Sequence, residues 1–470
     1  MKQIRLLLFV VVLAFLYPTL ATALDAAHER EDPSPLGPFV QSVKQRATRH
    51  LLTPSASVEN LNPLDQLPGL PITGRTTFRE YMQRVEASNL DLAAQRFNVP
   101  ISKAQLLAAR IYPDPAFQAG YGGDVSGQRQ VTTYEGDLSQ TILLGGKIGA
   151  RTDAANANLQ ANQAQLSDFL RNLRALAADS YIDAVTGLLT LQHETKALQR
   201  AHQLVELNTR RMEANEISED DVMRARMNEL EERSQMIRSE SSLHQTLIAM
   251  AALSGDESIA GLVVPTGRLQ IPARQFSLDA LVAKAVSSRS DVIAAAHKLD
   301  NARAEYQLAK ANRVPDLTVG GAYAHLTRVT NPTDPAPAWD SLGVSLSIPI
   351  PLSNLNQGPL QAAYYAQLQA EKALQAAKLR AAAEVRSAYE RYTLSQAVVG
   401  QFADEMIRDS DQVYKSRLLK LQKNTATLVE LLDAHHAVNQ LNFDYYTALN
   451  EQAKALVGLE RSVGTWDIDF

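Results

Sequence analysis

Two carboxylates three residues apart, Glu430 and Asp433, carry the most suggestive chemistry in the sequence. They sit in Thr427-Leu428-Val429-Glu430-Leu431-Leu432-Asp433. Thr427 followed by Glu430 is a capping box, so a helix starts here and places both acids on one face of its first turn. An acid–base pair needs two carboxylates held apart in different environments. Two acids on one helix turn are too close together for that, and no Gly-rich positioning loop accompanies them. A second acidic group, Glu213, Glu216, Glu219, Asp220 and Asp221, falls at another predicted turn and reads first as a solvated tip. The nine histidines are scattered. His435 and His436 are adjacent and point to different helix faces, and His193 and His202 lie out of mutual reach on one helix. Histidines packed in the wall or solvated explain them better than metal ligation. No Walker loop, H-E-x-x-H, G-x-S-x-G or G-x-G-x-x-G occurs. No catalytic residue, cofactor or metal site is therefore expected.

The elements that must hold those acids are long helices. From Leu360 to Val457 there is no proline and the single glycine is Gly400. One helix of that length would reach roughly 150 Å, so something folds it back. Lys423-Asn424-Thr425-Ala426 interrupts the apolar periodicity, and a helical hairpin is predicted to turn near Asn424. An earlier proline-free run, Ala116 to Val264, predicts a second hairpin. It is helical to about Arg211, turns near Asn215, restarts with Ser218 as N-cap and ends at Gly255. Leu166, Phe169, Leu170, Leu173, Leu176 and Tyr181 hold helical spacing there.

Each hairpin follows the same prelude. Thr77-Phe78-Arg79-Glu80 is a capping box opening a short helix, and Ser88 with Asp91 opens a second one, stopped by Tyr112-Pro113-Asp114-Pro115. Phe117, Ala119 and Tyr121 then alternate as a strand, with another around Tyr134–Ile142. In the second half Ser277 caps a short helix, Asp291–Asn312 is another, and Val314-Pro315-Asp316 stops it. Leu317, Val319, Gly321 and Tyr323 alternate. Leu342, Val344, Leu346, Ile348 and Ile350 give the strictest alternation in the chain. Leu159-Gln160-Ala161 echoes Leu368-Gln369-Ala370, and Tyr181 echoes Tyr389. The layout is a tandem repeat of roughly 180–190 residues.

The predicted organisation is a signal peptide at 1–23, an N-terminal arm at 24–76 and a first repeat at 77–255. In that repeat, strands lie at about 116–124 and 133–142 and the hairpin at 148–254. A linker at 256–276 precedes a second repeat at 277–463, with strands at about 316–326 and 341–350 and the hairpin at 358–460. A tail covers 464–470. Lys2 and Arg5 before the apolar Leu6–Leu16, and the A-x-A site Ala21-Thr22-Ala23, are the secretory signal. Without those two cations the formal charge moves from −5 to −7, which gives no nucleic-acid signal. Cysteine is absent, which excludes a disulfide framework, a thiolate metal site and a lipidated N-terminal cysteine. The proline-rich arm is read either as an extended segment lying on the body or as a disordered linker.

Each predicted strand has about the nine to eleven residues that a tilted strand needs to cross a bilayer. Four strands cannot close a barrel, and open edges are not tolerated in lipid. Closure needs two copies for eight strands or three for twelve. Leu342, Val344, Leu346 and Ile348 would then face lipid, and Trp339 would anchor at the interface. The competing readings are a pore-less structural coiled-coil protein of the envelope and a secreted enzyme using Glu430 and Asp433.

The duplicated layout with long hairpins resembles the TolC family of outer-membrane efflux ducts. Two segments are more specific. Leu143-Leu144-Gly145-Gly146-Lys147-Ile148-Gly149-Ala150-Arg151 is similar to the segment after the second strand in the CzcC-like, heavy-metal-efflux branch. Ile348-Pro349-Ile350-Pro351-Leu352-Ser353-Asn354-Leu355-Asn356-Gln357-Gly358 is similar to another segment of that branch. The resemblance covers roughly 77–463. It implies a mostly α fold with a small β part: a homotrimer whose twelve strands form one outer-membrane β-barrel, continued by a long periplasmic α-helical barrel. It also implies a passive duct exporting metal ions or small toxic compounds, a periplasmic adaptor (membrane fusion) protein and an inner-membrane RND-type pump. Thr427–Ala434 is similar to the family's T-I-V-D-V-L-D-A, and the resemblance implies that Glu430 and Asp433 line the periplasmic gate. The hairpin tips that would meet the adaptor are Glu213, Glu216, Glu219, Asp220 and Asp221 with Lys423 and Asn424. Leu421 and Ala426 stand where some relatives carry a tyrosine and an arginine that lock the tip.

Overall fold

A computed structural model describes residues 72–123, 131–255, 262–266, 269, 274–329, 335–350, 356–402 and 404–467. All belong to one compact unit, Leu70–Phe470. The signal, the arm before residue 72, much of the linker and residues 468–470 lie outside the described residues. The first half runs β1 (Ile72–Thr76), α1 (Phe78–Ser88), α2 (Leu90–Arg96), α3 (Asn98–Arg110), β2 (Ala116–Gly123), β3 (Thr132–Ile142), α4 (Lys147–Glu213) and α5 (Glu219–Leu253). The second runs β4 (Leu262–Pro265), α6 (Leu278–Ser288), α7 (Ser290–Ala311), β5 (Leu317–Leu326), β6 (Trp339–Ser347), α8 (Gln357–Gln401), α9 (Asp404–Gln422) and α10 (Leu428–Val463). The protein is mostly helical with a small β part.

The repeat is visible in the backbone. Helix α4 starts after Gly146 and α8 after Asn356, both left-handed. The chain reverses at Asn215 and Asn424, with φ of 61° and 56°, a region asparagine tolerates better than most residues. Gly255 and Gly464, at φ of 70° and 82°, follow the ends of α5 and α10. Buried Ala154, Ala157, Ala161 and Ala164 recur every three or four residues along α4, which packs against both α5 and α7. Small side chains at that spacing let helix axes approach closely.

Several local readings differ from the structure. Asn89, not Ser88, caps α2: its Oδ1 accepts the Leu92 amide at 2.8 Å, and its Nδ2 donates to the Leu253 carbonyl at 3.0 Å. An amide can cap and still offer a donor; a hydroxyl with one hydrogen serves that double duty less well. The helix expected from there to Ile111 is interrupted at Phe97. The second hairpin's first arm is not continuous to Asn424. It breaks at Phe402, two residues after Gly400, and the Phe402 ring lies 5.7 Å from Tyr445 of α10. The arm and linker also contribute a parallel ribbon, β1 on β4, that alternation did not suggest. The Tyr181 hydroxyl locks this ribbon to α4 by donating to the Thr266 carbonyl at 2.7 Å, with the Thr76 carbonyl 3.2 Å away. In the second repeat the matching position is taken by buried Tyr392 rather than Tyr389: its hydroxyl accepts the Arg274 amide at 3.2 Å, and its ring meets Phe276.

The Leu144–Lys147 segment forms the joint between sheet and helix. Lys147, nearly buried, pairs with Asp316 at 2.6 Å, and the Leu144 amide donates to the same oxygen at 3.1 Å. Arg151 donates to the carbonyls of Ala109 and Ile111, holding the end of α3. Gly145 and Gly146 both have positive φ, but only Gly145 is crowded: an added Cβ would meet the Ala311 carbonyl and Val314 at 3.0 Å. Gly146→Ala should cost about 1 kcal/mol from its backbone conformation alone. Gly145→Ala should cost more, read as the larger drop in thermal midpoint of the protein in detergent. Equal midpoints for the two variants would show that the close approach at Gly145 carries no stability.

Candidate functional site

Two regions concentrate what the fold leaves unpaired: a four-stranded sheet at one end of the long helices and the hairpin tips at the other. The sheet has order β2-β3-β5-β6, every neighbour antiparallel. Register fixes its faces, because side chains alternate along each strand. Leu342, Val344 and Leu346 of β6 lie opposite Tyr323, Gly321 and Val319 of β5. Those lie opposite Gly136, Leu138 and Gln140 of β3, and Leu138 lies opposite Phe117 of β2. This face is apolar and open: Val344 is 82% exposed, and Phe117 and Leu138 are exposed as well. Ile348 is also exposed but lies just past the end of β6.

One end of the same face carries a continuous row, Tyr121, Tyr134, His325 and Asp340. Ring centroids are 5.5 Å apart for the first pair and 6.4 Å for the second. Asp340 takes hydrogen bonds from the Tyr323 hydroxyl and from His325, each at 2.7 Å. The other face is small and polar: Ser341, Gly343 and Ser345 of β6, Ala322, Gly320 and Thr318 of β5, and Glu135, Asp137 and Ser139 of β3. Alternation puts Trp339 on this second face, away from the row of tyrosines. Neither outer edge, on β2 or on β6, has a strand partner among the described residues.

At the tips the two hairpins are tied to each other. Arg211, near the end of α4, forms an ion pair with Glu216 at 3.3 Å and donates to the side chain of Asn424 in the other tip. Glu213, Glu216, Glu219 and Asp220 are exposed, as are Lys423 and Asn424. Asp221 is half-buried and accepts from the Ser218 hydroxyl at 3.2 Å, so Ser218 occupies the cap position without bonding to the helix backbone. Beneath the tips Leu204, Ala225, Tyr414, Leu421, Leu428, Leu431 and Val438 form one apolar cluster. Leu421 is thus a core residue.

Glu430 is occupied locally. It accepts the Thr427 amide at 3.4 Å while its own amide donates to Thr427 Oγ1 at 3.3 Å, and Arg417 lies 3.5 Å from its carboxylate. Asp433, one turn on, is exposed and makes no hydrogen bond or ion pair among the described residues. The structure therefore separates the two acids: Glu430 is committed to the cap, and Asp433 is not.

Among the described residues no group of three His, Cys, Asp or Glu could hold a metal ion. His436 is exposed. His435, by contrast, is buried against Glu232 of α5 at 3.0 Å. Sequence reading passed over that contact and its neighbour Glu194. The signal was present: Leu188, Leu191, Glu194, Ala197, Ala201 and Leu204 share one buried stripe of α4, and a glutamate interrupts it. Among the described residues no helix is long and apolar enough to cross a membrane.

Comparison with known proteins agrees with this layout. The family model "Outer membrane efflux protein" matches residues 81–256 and 281–465, one segment per repeat. The chain is 21% identical over 392 residues to the cobalt-zinc-cadmium resistance protein CzcC of Cupriavidus metallidurans, covering 83% of this chain and 90% of that one. It is 22% identical over 413 residues to the pyoverdine export outer membrane protein OpmQ of Pseudomonas putida, covering 82% and 85%. Its fold is similar to the open state of the MtrE outer membrane channel of Neisseria gonorrhoeae, with a TM-score of 0.68, 19% identity and coverage of 83% and 89%.

The cap geometry gives a test at the tip. Thr427→Ala should destabilise the protein by about 1 kcal/mol. Glu430→Gln keeps the box, since glutamine serves at that position, and should stay within about 0.5 kcal/mol, the loss of an exposed ion pair. Denaturant melts of the full chain in detergent read both. A larger loss for Glu430→Gln would mean the carboxylate does more than cap.

Proposed function

We propose that this chain, which belongs to the outer membrane efflux protein family, is the outer-membrane duct of a tripartite efflux system. Members of this family are transport ducts, not enzymes. The observation that carries the proposal is the two-faced sheet with unpaired edges set on long helical hairpins. An exposed apolar face with tyrosines at one end suits lipid, and a polar, small-residue face suits a water-filled lumen. Backbone groups along an open edge must be paired in lipid. Three copies joined edge to edge would close twelve strands, and their hairpins would continue as a periplasmic α-helical barrel. Leu342, Val344, Leu346 and Ile348 face lipid in this assembly, and the register adds Phe117 and Leu138 from the first repeat. A pore-less coiled coil has no use for such a sheet.

The duct is passive; an inner-membrane RND-type pump supplies energy through a periplasmic adaptor that meets the hairpin tips, at Glu213, Glu216, Glu219, Asp220 and Asp221 and at Lys423 and Asn424. The cargo is a metal ion or a small toxic compound. The relatives' names span metal resistance and pyoverdine export, so kinship alone does not choose between them. Asp433 is the gate residue of the pair, because Glu430 is spent on its cap. Three copies would bring Asp433 carboxylates around one axis, where like charges attract cations.

Val344→Arg should cost about 2–4 kcal/mol if the position lies near the bilayer midplane. Ser345→Arg, on the lumen face, should leave assembly intact. Heat-resistant oligomer on unboiled gels measures both, and equal tolerance would place lipid elsewhere. In planar bilayers the wild-type protein should form cation-selective channels blocked by millimolar divalent cations from the periplasmic side. Asp433→Ala should weaken selectivity and block more than Glu430→Gln. Channels of Asp433→Ala with unaltered reversal potential and block would remove Asp433 from the gate, and absence of conductance in the wild type would sink the duct.

A further inference from the structure

Partway along the hairpins α4, α5 and α10 enclose a group of polar side chains. Glu194 of α4 and Glu232 of α5 are each 5% exposed, and His435 of α10 is 3% exposed. Glu232 is satisfied through one oxygen: its Oε1 lies 3.0 Å from His435 Nε2 and accepts from Asn439 Nδ2 at 3.1 Å. The His435 ring packs 5.6 Å from Tyr414 of α9. Glu194 faces this pair yet makes no hydrogen bond or ion pair among the described residues. Asn439 Oδ1 is shut off from solvent, and the Asn439 side chain faces His193. Glu232 Oε2 receives no donor among the described residues.

All three groups line one cleft of about 560 Å³, together with Gln235, His436 and Phe443. The cleft thus presents two carboxylates with spare acceptor capacity. A buried unpaired carboxylate is costly and is relieved by a proton or by a cation. Burial and the neighbouring Glu232 carboxylate push the Glu194 carboxyl up to about 7, so near neutral pH neither remedy is committed.

We propose that this cleft binds the ammonium head of a primary aliphatic amine. Glu194 and Glu232 Oε2 each accept one N–H, the third N–H meets water in the open cleft, and the alkyl chain lies along Phe443. A primary ammonium carries three donors and no acceptor, which suits a cleft whose free groups are carboxylate oxygens. Its N–H···O contacts to a carboxylate are short, charge-assisted hydrogen bonds, and no metal-competent group of His, Cys, Asp or Glu is found among the described residues. The other charged or titratable groups around Glu194 are Glu231 and Glu232 from α5, His435 and His436 from α10, and His193 and Arg200 from α4 itself. Burial, with Arg200 nearby, pushes His193 down, towards its neutral form. The Arg200 guanidinium lies over the Tyr414 ring, 5.2 Å from its centroid.

The site stands apart from the duct proposal, and its failure would leave that proposal untouched. Saturation-transfer NMR of the full-length protein in detergent, with butylammonium chloride as probe, tests it. Butylammonium keeps its proton from pH 6 to 8, as a lysine does. Glu194, with its carboxyl raised to about 7 in the empty cleft, loses its proton over that range. Binding should therefore be saturable at pH 8 and about tenfold weaker at pH 6, the fall expected when only the ionised carboxylate binds. Glu194→Gln should bind at least about tenfold more weakly at pH 8 and lose the pH dependence. Tetramethylammonium has the same charge but no N–H and should not displace butylammonium; this arm and the pH arm use wild-type protein and stand even if the variant fails to assemble. The proposal is overturned by absence of saturable binding at pH 8, by equal binding to Glu194→Gln, by displacement with tetramethylammonium, or by Mn²⁺ occupying the cleft where butylammonium does not.

Discussion

A strand edge in hydrocarbon has nowhere to send its backbone N–H and C=O groups, and the proposed assembly answers to that constraint. Among the described residues one chain supplies a sheet of four antiparallel strands whose two edges have no partner. In water such edges invite aggregation; in lipid they are prohibitive. In the assembly proposed above, further copies of the same chain complete the sheet. Its face chemistry fits, since one side carries most of the apolar and aromatic residues and the other is mainly small and polar, Trp339 excepted.

The duplication serves the same end. Each repeat delivers two strands and one long hairpin. The central pairing of β3 with β5 joins the repeats inside one chain, and α4 against α7 joins them below the sheet. The Lys147–Asp316 pair sits at this seam and links the first residue of α4 to the residue before β5. A nearly buried lysine held by one carboxylate would be expensive to orphan, so the angle between sheet and helix is fixed where the repeats meet. At the far end Arg211 and Asn424 tie one tip to the other. Between seam and tips the helices rest on alanines and a few leucines, which makes a polar group on that stripe, such as Glu194, conspicuous.

Features set by neighbouring residues were legible in the sequence. The Thr427–Glu430 capping box and the reversals at Asn215 and Asn424 depend on local backbone preference, and alternation in β6 exposes its apolar face. What depended on distant partners was not. The α8 break at Phe402 follows a single glycine and leans on Tyr445. Asn89 takes the cap from Ser88 because Leu253, far along the chain, accepts its second hydrogen bond. The β1–β4 ribbon is parallel and assembled from a proline-rich arm and a linker, where alternation has little to say. Tyr389 is the nearer echo of Tyr181 in sequence, but helical phase carries Tyr392 to the buried side. At the tip the sequence offered Glu430 and Asp433 as equals; only their partners distinguish them. Face assignment in β2 and β3 likewise required the register with β6.

The central claim is that the open sheet is completed by copies of the same chain, and native mass spectrometry of the detergent-purified protein tests it most directly. The account predicts a species of three chains that persists as detergent is stripped in the gas phase, with neither two-chain nor one-chain forms as the main assembly. A stable single chain that stays monodisperse without detergent would contradict it.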